Sequence, residues 1–134
     1  VMRISKAAYL PYLPASHEDQ ERPGVLRKVL VENGVIPQGK VRMVNWAHLG
    51  VGSSFRPHYH EDMYEVFVLV AGRAQMSVSG ASIELEGGDT VVVEPREVHS
   101  MRNLGSIPVQ YLVFGVATGE GGKTITLTHT QVDE

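Results

Sequence analysis

His58 and His60 stand one residue apart, Glu65 follows five positions later, and His99 lies farther along the 134-residue chain. Imidazole nitrogens and carboxylate oxygens suit borderline divalent ions, so three histidines and a glutamate in this pattern point to a metal centre. Alternate side chains of an extended strand share a face, which aims His58 and His60 at one ion. Glu65 is an odd number of residues beyond His60, so a straight strand would send it to the opposite face. Glu61 and Asp62 are strand-averse and predict a turn or bulge that resets the alternation, letting Glu65 face inward with Phe67 and Leu69. His99 has to come from another strand, because four ligands around an ion cannot share one extended segment. The expected geometry is a two-strand clamp.

A fourth histidine is a candidate for chemistry beside the metal. If residues 41–49 form a regular strand, Arg42, Val44, Trp46 and His48 share a face. With that face inward, His48 is the candidate catalytic acid or base and Trp46 an apolar pocket wall. With it outward, His48 is a partly exposed surface residue. Phe67, Met76, Met101 and Tyr111 are wall or core residues by the same parity. His17, in a polar segment, and His129, near the C-terminus, are expected as solvated surface residues.

The elements that must position these groups are strands. Short apolar runs recur at 25–31, 41–49, 64–70, 74–78, 82–85, 90–93, 109–116 and 124–128, and Asn33-Gly34, Ser79-Gly80, Gly87-Gly88-Asp89 and Gly105-Ser106 are among the breakers between them. No stretch sustains a helical period. Runs 64–70 and 91–93 are apolar on both faces, as in strands covered on both sides, and one covering is expected to be a second subunit.

These residues resemble the cupins, whose first motif is G-x5-H-x-H-x3-4-E-x6-G. Gly52, His58, His60, Glu65 and Gly72 fit it without a mismatch, and Gly88, His99 and Asn103 fall at the offsets of the second motif. That motif's proline comes one position late, as Pro95, and Arg96 stands where a glycine is usual, so the turn before His99 is expected to be reshaped. The resemblance covers roughly residues 41–116. It implies an all-β fold, an antiparallel jelly-roll (double-stranded β-helix) cupin barrel. It further implies His58, His60, Glu65 and His99 as ligands of one divalent transition metal ion, with Mn, Fe, Ni, Zn, Co and Cu all compatible with this donor set. Four ligands on an octahedral ion leave two adjacent positions for water, substrate or dioxygen. Similar barrels include dioxygenases, decarboxylases, isomerases and proteins that only bind sugars or effectors. A homodimer is the expected assembly.

Composition is that of an ordinary globular chain, with 43% hydrophobic and 20% charged residues. The expected organisation is an N-terminal arm, 1–24, and a single barrel domain, 25–134. In the arm Tyr9, Leu10, Tyr12 and Leu13 need a surface to bury against, on a neighbouring chain or on their own barrel. A net charge of −3 offers no footprint for nucleic acid. No apolar run approaches the roughly 20 residues of a membrane span, and no signal peptide is evident, so a cytoplasmic protein is expected. The absence of cysteine rules out disulfides and thiolate ligands. The leading expectation is a metal-dependent enzyme on a small polar molecule bearing carboxylate or hydroxyl groups. The alternative is a non-catalytic barrel whose metal anchors a sugar or effector.

Overall fold

The chain alternates short β-branched and aromatic runs with glycine-rich turns, and this pattern resolves into strands. A computed structural model describes residues 2–36, 39–119 and 124–127. Among these, a single 3-10 turn, Ala7–Tyr9, precedes eleven strands: β1 Leu13–Pro14, β2 Leu26–Val31, β3 Val41–Leu49, β4 Ser54–His60, β5 Met63–Ala71, β6 Ala74–Val78, β7 Ala81–Leu85, β8 Thr90–Val93, β9 His99–Asn103, β10 Val109–Ala117 and β11 Thr124–Thr126. They form two antiparallel sheets, ordered β1-β2-β3-β10-β5-β8 and β11-β4-β9-β6-β7. From β3 to β6 the chain crosses between the sheets at every turn, so this is the expected jelly roll. Each apolar run became a strand, although Thr128, like His129, lies outside the described residues. β4 and β9, which the apolar runs do not mark, are the polar strands SFRPHYH and HSMRN that carry the three histidines.

Register decides where the apolar plug ends and the chemistry begins. On the inner face of the larger sheet Leu49 pairs with Val109, Ala47 with Tyr111 and Tyr111 with Leu69. Farther along, Asn45 pairs with Val113 and Val113 with Phe67, and then Gly115 lies between Met43 and Glu65. The opposite sheet contributes Phe55, Met76 and Met101, which with Leu49, Leu69 and Val109 are fully buried side chains. One end of the barrel is therefore packed solid, and polar side chains enter toward the other end.

Two backbone positions hold the loops. Gly72 has φ +87°, and a Cβ there would lie 2.9 Å from the Pro108 carbonyl oxygen, so both conformation and space demand glycine. Arg96 takes φ +69°, the left-handed region that glycine occupies without penalty. Its amide donates to His60 O at 2.7 Å, and the Glu97 amide donates to Glu94 O at 3.2 Å. The turn before His99 thus accommodates Arg96 by placing it in a glycine-like conformation.

The arm packs partly on its own barrel. β1 pairs with β2, Ser5 Oγ donates to Leu30 O at 2.7 Å, and Lys28 Nζ lies 4.8 Å from the centre of the Tyr12 ring. Tyr9 remains 83% exposed, and the outer face of the larger sheet exposes Val70 and Val92. The outer faces of the doubly apolar strands are thus only partly covered among the described residues.

Candidate metal centre

β4 carries His58 and His60 on one face, and both side chains point into the barrel, as the alternation requires. β9 runs beside β4, with His99 directly opposite His58 in the register. Glu65 arrives from the other sheet, on β5. No bulge within a strand resets its parity: the chain leaves one sheet after His60, turns at Glu61-Asp62 and enters the other, whose inner face has its own alternation. The candidate ligands come from three strands in two sheets, which corrects the two-strand clamp.

The four side chains are buried, and one ligand atom from each lies within 4.8 Å of all the others. His60 Nε2 and His99 Nε2 stand 2.7 and 2.9 Å from the same Glu65 oxygen, Oε1. On the far side of each ring an oxygen fixes the orientation. His58 Nδ1–H donates to Arg56 O at 2.9 Å, His99 Nδ1–H donates to Glu97 O at 3.0 Å, and His60 Nδ1 shares a 2.8 Å hydrogen bond with Thr124 Oγ1. Carbonyls only accept, so in the neutral form in which an imidazole binds a metal, His58 and His99 carry their proton on Nδ1 and turn an Nε2 lone pair inward. For His99 that lone pair faces a carboxylate oxygen, an arrangement that is repulsive without a cation between them. The donor set therefore fits a divalent ion, with the orienting oxygens behind the ligands as metal sites require.

Electrostatics keep the donors in ligand form. Burial, reinforced by His17 and His99, lowers the pKa of His58 to about 2, so its imidazole stays neutral. Burial alone would raise the pKa of Glu65, but in the metal-free site Nε2–H groups of His60 and His99 take the place of a cation at its carboxylate, and their hydrogen bonds hold the carboxyl well below its ordinary range. Tyr111 is pushed upward by burial and by the charges of Glu65 and Glu18, so its phenol remains a protonated donor.

The group opens on a cavity of about 420 Å³, with Phe55, Phe67, Tyr111 and Val113 among its walls. Met76 and Met101 belong to the core instead. His48 is not brought to the cavity. The inner face of β3 carries Asn45, Ala47 and Leu49, so Val44, Trp46 and His48 point outward. There His48 meets Tyr12 of the arm edge-on, with ring centres 5.5 Å apart. Of the two orientations open for this strand the outward one holds for Val44, Trp46 and His48, and of the four only Arg42 reaches the interior, at a bulge between its neighbours' pairings.

His17, expected in solvent, is instead part of the site. Its ring stacks on His58 at 3.9 Å and 17°, and its Nδ1–H donates to Glu18 Oε2 at 3.0 Å. Glu18, 8% exposed, also accepts from the Gly24 amide at 2.7 Å and the Arg56 amide at 2.9 Å. It staples the strap 15–24 over the cavity. A Cβ on Gly24 would overlap Ser54 O, so the strap lies directly on β4. Nothing in local sequence marks this, because His17 meets His58 and Glu18 meets the Arg56 amide only after the strap crosses the barrel.

Burial would raise the Glu18 pKa, but its three hydrogen-bonded donors lower it below the ordinary 4.5. A carboxyl depressed in the folded state adds stability above its unfolded pKa and loses it as pH falls through the folded value. Glu18→Ala should therefore cost about 1–3 kcal/mol at pH 7, since it strands two backbone amides. The difference from wild type should shrink below about pH 4.5. Urea titrations at pH 7 and pH 3.5 check this, and a pH-independent difference would contradict it.

Comparison with known proteins follows the same lines. The family model described as cupin domain matches residues 45–115. An uncharacterized protein of Methanocaldococcus jannaschii is 28% identical over 111 residues, covering 83% of this chain and 85% of that protein. The oxalate-binding protein of Thermotoga maritima is 27% identical over 73 residues, 54% of this chain and 60% of that relative's length. Among solved structures, a predicted oxalate decarboxylase from Thermotoga maritima superposes with a TM-score of 0.75 at 21% identity, covering 87% of this chain and 99% of that one. The polyketide cyclase RemF from Streptomyces resistomycificus gives a TM-score of 0.75 at 13% identity, over 96% and 87% of the two chains. At such identities the superpositions speak for the fold, while the motif residues and the match over more than half of the sequence show that the chain belongs to the cupin family.

Proposed function

We propose that this protein is a metal-dependent enzyme acting on a small molecule with carboxylate or hydroxyl oxygens, in the manner of a decarboxylase, isomerase or dioxygenase. The observation that carries the reading is the convergence of His58, His60, Glu65 and His99, the first three of which line a cavity large enough for a substrate. A divalent ion held by these residues supplies Lewis acidity to coordinated oxygens. The Arg56 and Glu97 carbonyls keep two imidazoles in the ligating tautomer. Glu65 offsets part of the ion's charge, Tyr111 offers a hydroxyl proton, and Phe55 and Phe67 keep water from that side. A sequence relative and a solved structure, both from Thermotoga maritima, carry names that refer to oxalate, which supports small carboxylic acids as the substrate class. A second copy of the chain would cover the exposed Val70, Val92 and Tyr9 in the proposed homodimer.

The test loads the protein in turn with manganese, iron, nickel and zinc, incubates it with a panel of small hydroxy and carboxylic acids, and follows carbon dioxide, dioxygen and products. Metal-dependent turnover of one acid is expected. Tight binding of an acid by every loaded form, with no product from any, would overturn the enzyme reading in favour of a binding barrel. Among the described residues no helix is long and apolar enough to cross a membrane.

A further inference from the structure

Arg42 is set into the cavity by the bulge in β3. Gly115 pairs with Met43 and Val116 with Val41, which leaves Arg42 outside the register, and it lines the cavity beside Met43. Its Nε is buried with no hydrogen-bond partner among the described residues. Asn45, the next inner-face residue beyond Met43, also has a buried, unpartnered Oδ1, and its Nδ2 reaches only Met43 Sδ, at 3.6 Å. Exchanging the amide O and N would turn a donor into the same space, so Asn45 can meet either kind of ligand atom. Arg27 brings a second guanidinium to the cavity wall, its Nε 3.5 Å from Pro14 O. Glu32 lines the cavity too, yet forms no ion pair with either arginine among the described residues.

A guanidinium keeps its charge at any accessible pH, and taking that charge from water is costly unless an anion answers it. Among the described residues no carboxylate pairs with Arg42, while the cavity beside it is open to a ligand. Met43 pairs with Gly115 and Gly115 with Glu65, so Arg42 adjoins a backbone position about 10 Å, two strand spacings, from that of Glu65. Met63 lies over Gly115 between them and makes the middle of this path apolar.

We propose that the cavity takes a diacid longer than oxalate, with a chelating end at the histidine–glutamate group and a distal carboxylate on Arg42 beside Asn45. This inference rests on the metal reading and narrows its substrate class.

The experiment compares 2-hydroxyglutarate with 2-hydroxypentanoate, which share the chelating end and differ only in the distal carboxylate. Calorimetric titration of zinc-loaded protein should show the diacid binding about 10- to 100-fold more tightly, the range of one charge-assisted hydrogen-bonded contact. Arg42→Met should abolish the preference and leave 2-hydroxypentanoate affinity unchanged, while Arg42→Lys should restore part of it. Equal affinities in the wild type, or a preference that survives Arg42→Met, would overturn the inference. On metal-free protein, the Arg42 Nε–H resonance should shift on titration with glutarate, and a resonance that stays still would also overturn it. Failure of the metal reading has a different signature: 2-hydroxypentanoate would not bind, while glutarate would still move the Arg42 signal.

Discussion

His60→Ala will lower metal affinity by well over a hundredfold while the wild type holds about one equivalent. The basis is position: His60 Nε2 lies 2.7 Å from Glu65 Oε1, and its other nitrogen is held by Thr124 Oγ1, so the ring has no freedom to be replaced by a neighbour. Loss of a partner behind a ligand typically costs about 10- to 100-fold, and removal of the ligand itself should exceed that. Thr124→Val supplies the comparison, with an expected loss within that outer range. Elemental mass spectrometry gives the stoichiometry, and competition with a chelator gives the affinities. Wild-type protein should also be stabilised by about 2.7 kcal/mol at a metal concentration a hundred times Kd, a shift that His60→Ala should lack. Retention of metal at wild-type affinity by His60→Ala would mean that the ion, if bound, sits elsewhere.

Phe55→Ala will cost about 3–5 kcal/mol of stability, the usual range for truncating a buried phenylalanine. Phe55 is 2% exposed and sits among the rings that build the site. It meets His17 and His99 edge-on at 5.5 and 6.1 Å, tilts toward His58 at 5.4 Å and stacks on Phe67 at 6.3 Å. The cavity left behind adjoins two ligand imidazoles, so metal affinity should fall as well. Against a total stability of about 5–15 kcal/mol this is a large fraction. Urea unfolding should show a lower midpoint at an unchanged slope. Ile107→Ala, at an exposed loop position, should stay within about 0.5 kcal/mol of wild type. If Phe55→Ala behaved like Ile107→Ala, the plug of the barrel would not depend on this ring.

The two expectations share a physical origin in the way local order becomes a site. Strand alternation is a property of the extended backbone, so the inward pairing of His58 with His60 and the apolar runs of β3, β5 and β10 were legible before folding. So was the ligand set, because few residue types bind borderline metals and their spacing matched the cupin motifs. Parity failed where the backbone departs from a straight strand or leaves its sheet. The bulge at Arg42 carried that side chain inward while Trp46 and His48 faced out, and the crossover after His60 gave Glu65 the parity of another sheet. Arg96 marked an irregular turn, yet its backbone adopted the conformation a glycine would take.

What the sequence by itself determined was the all-β class, the strands and the identity of the four metal-binding candidates, since these follow from side-chain chemistry and period-two geometry. Only the tertiary structure decided that His17 stacks on His58, that Glu18 ties the strap to β4 and that Arg42 Nε and Asn45 Oδ1 are buried at the cavity without partners among the described residues. Those contacts join residues far apart in the chain. Their formation depends on register, bulges and sheet packing, which no local run of residues encodes.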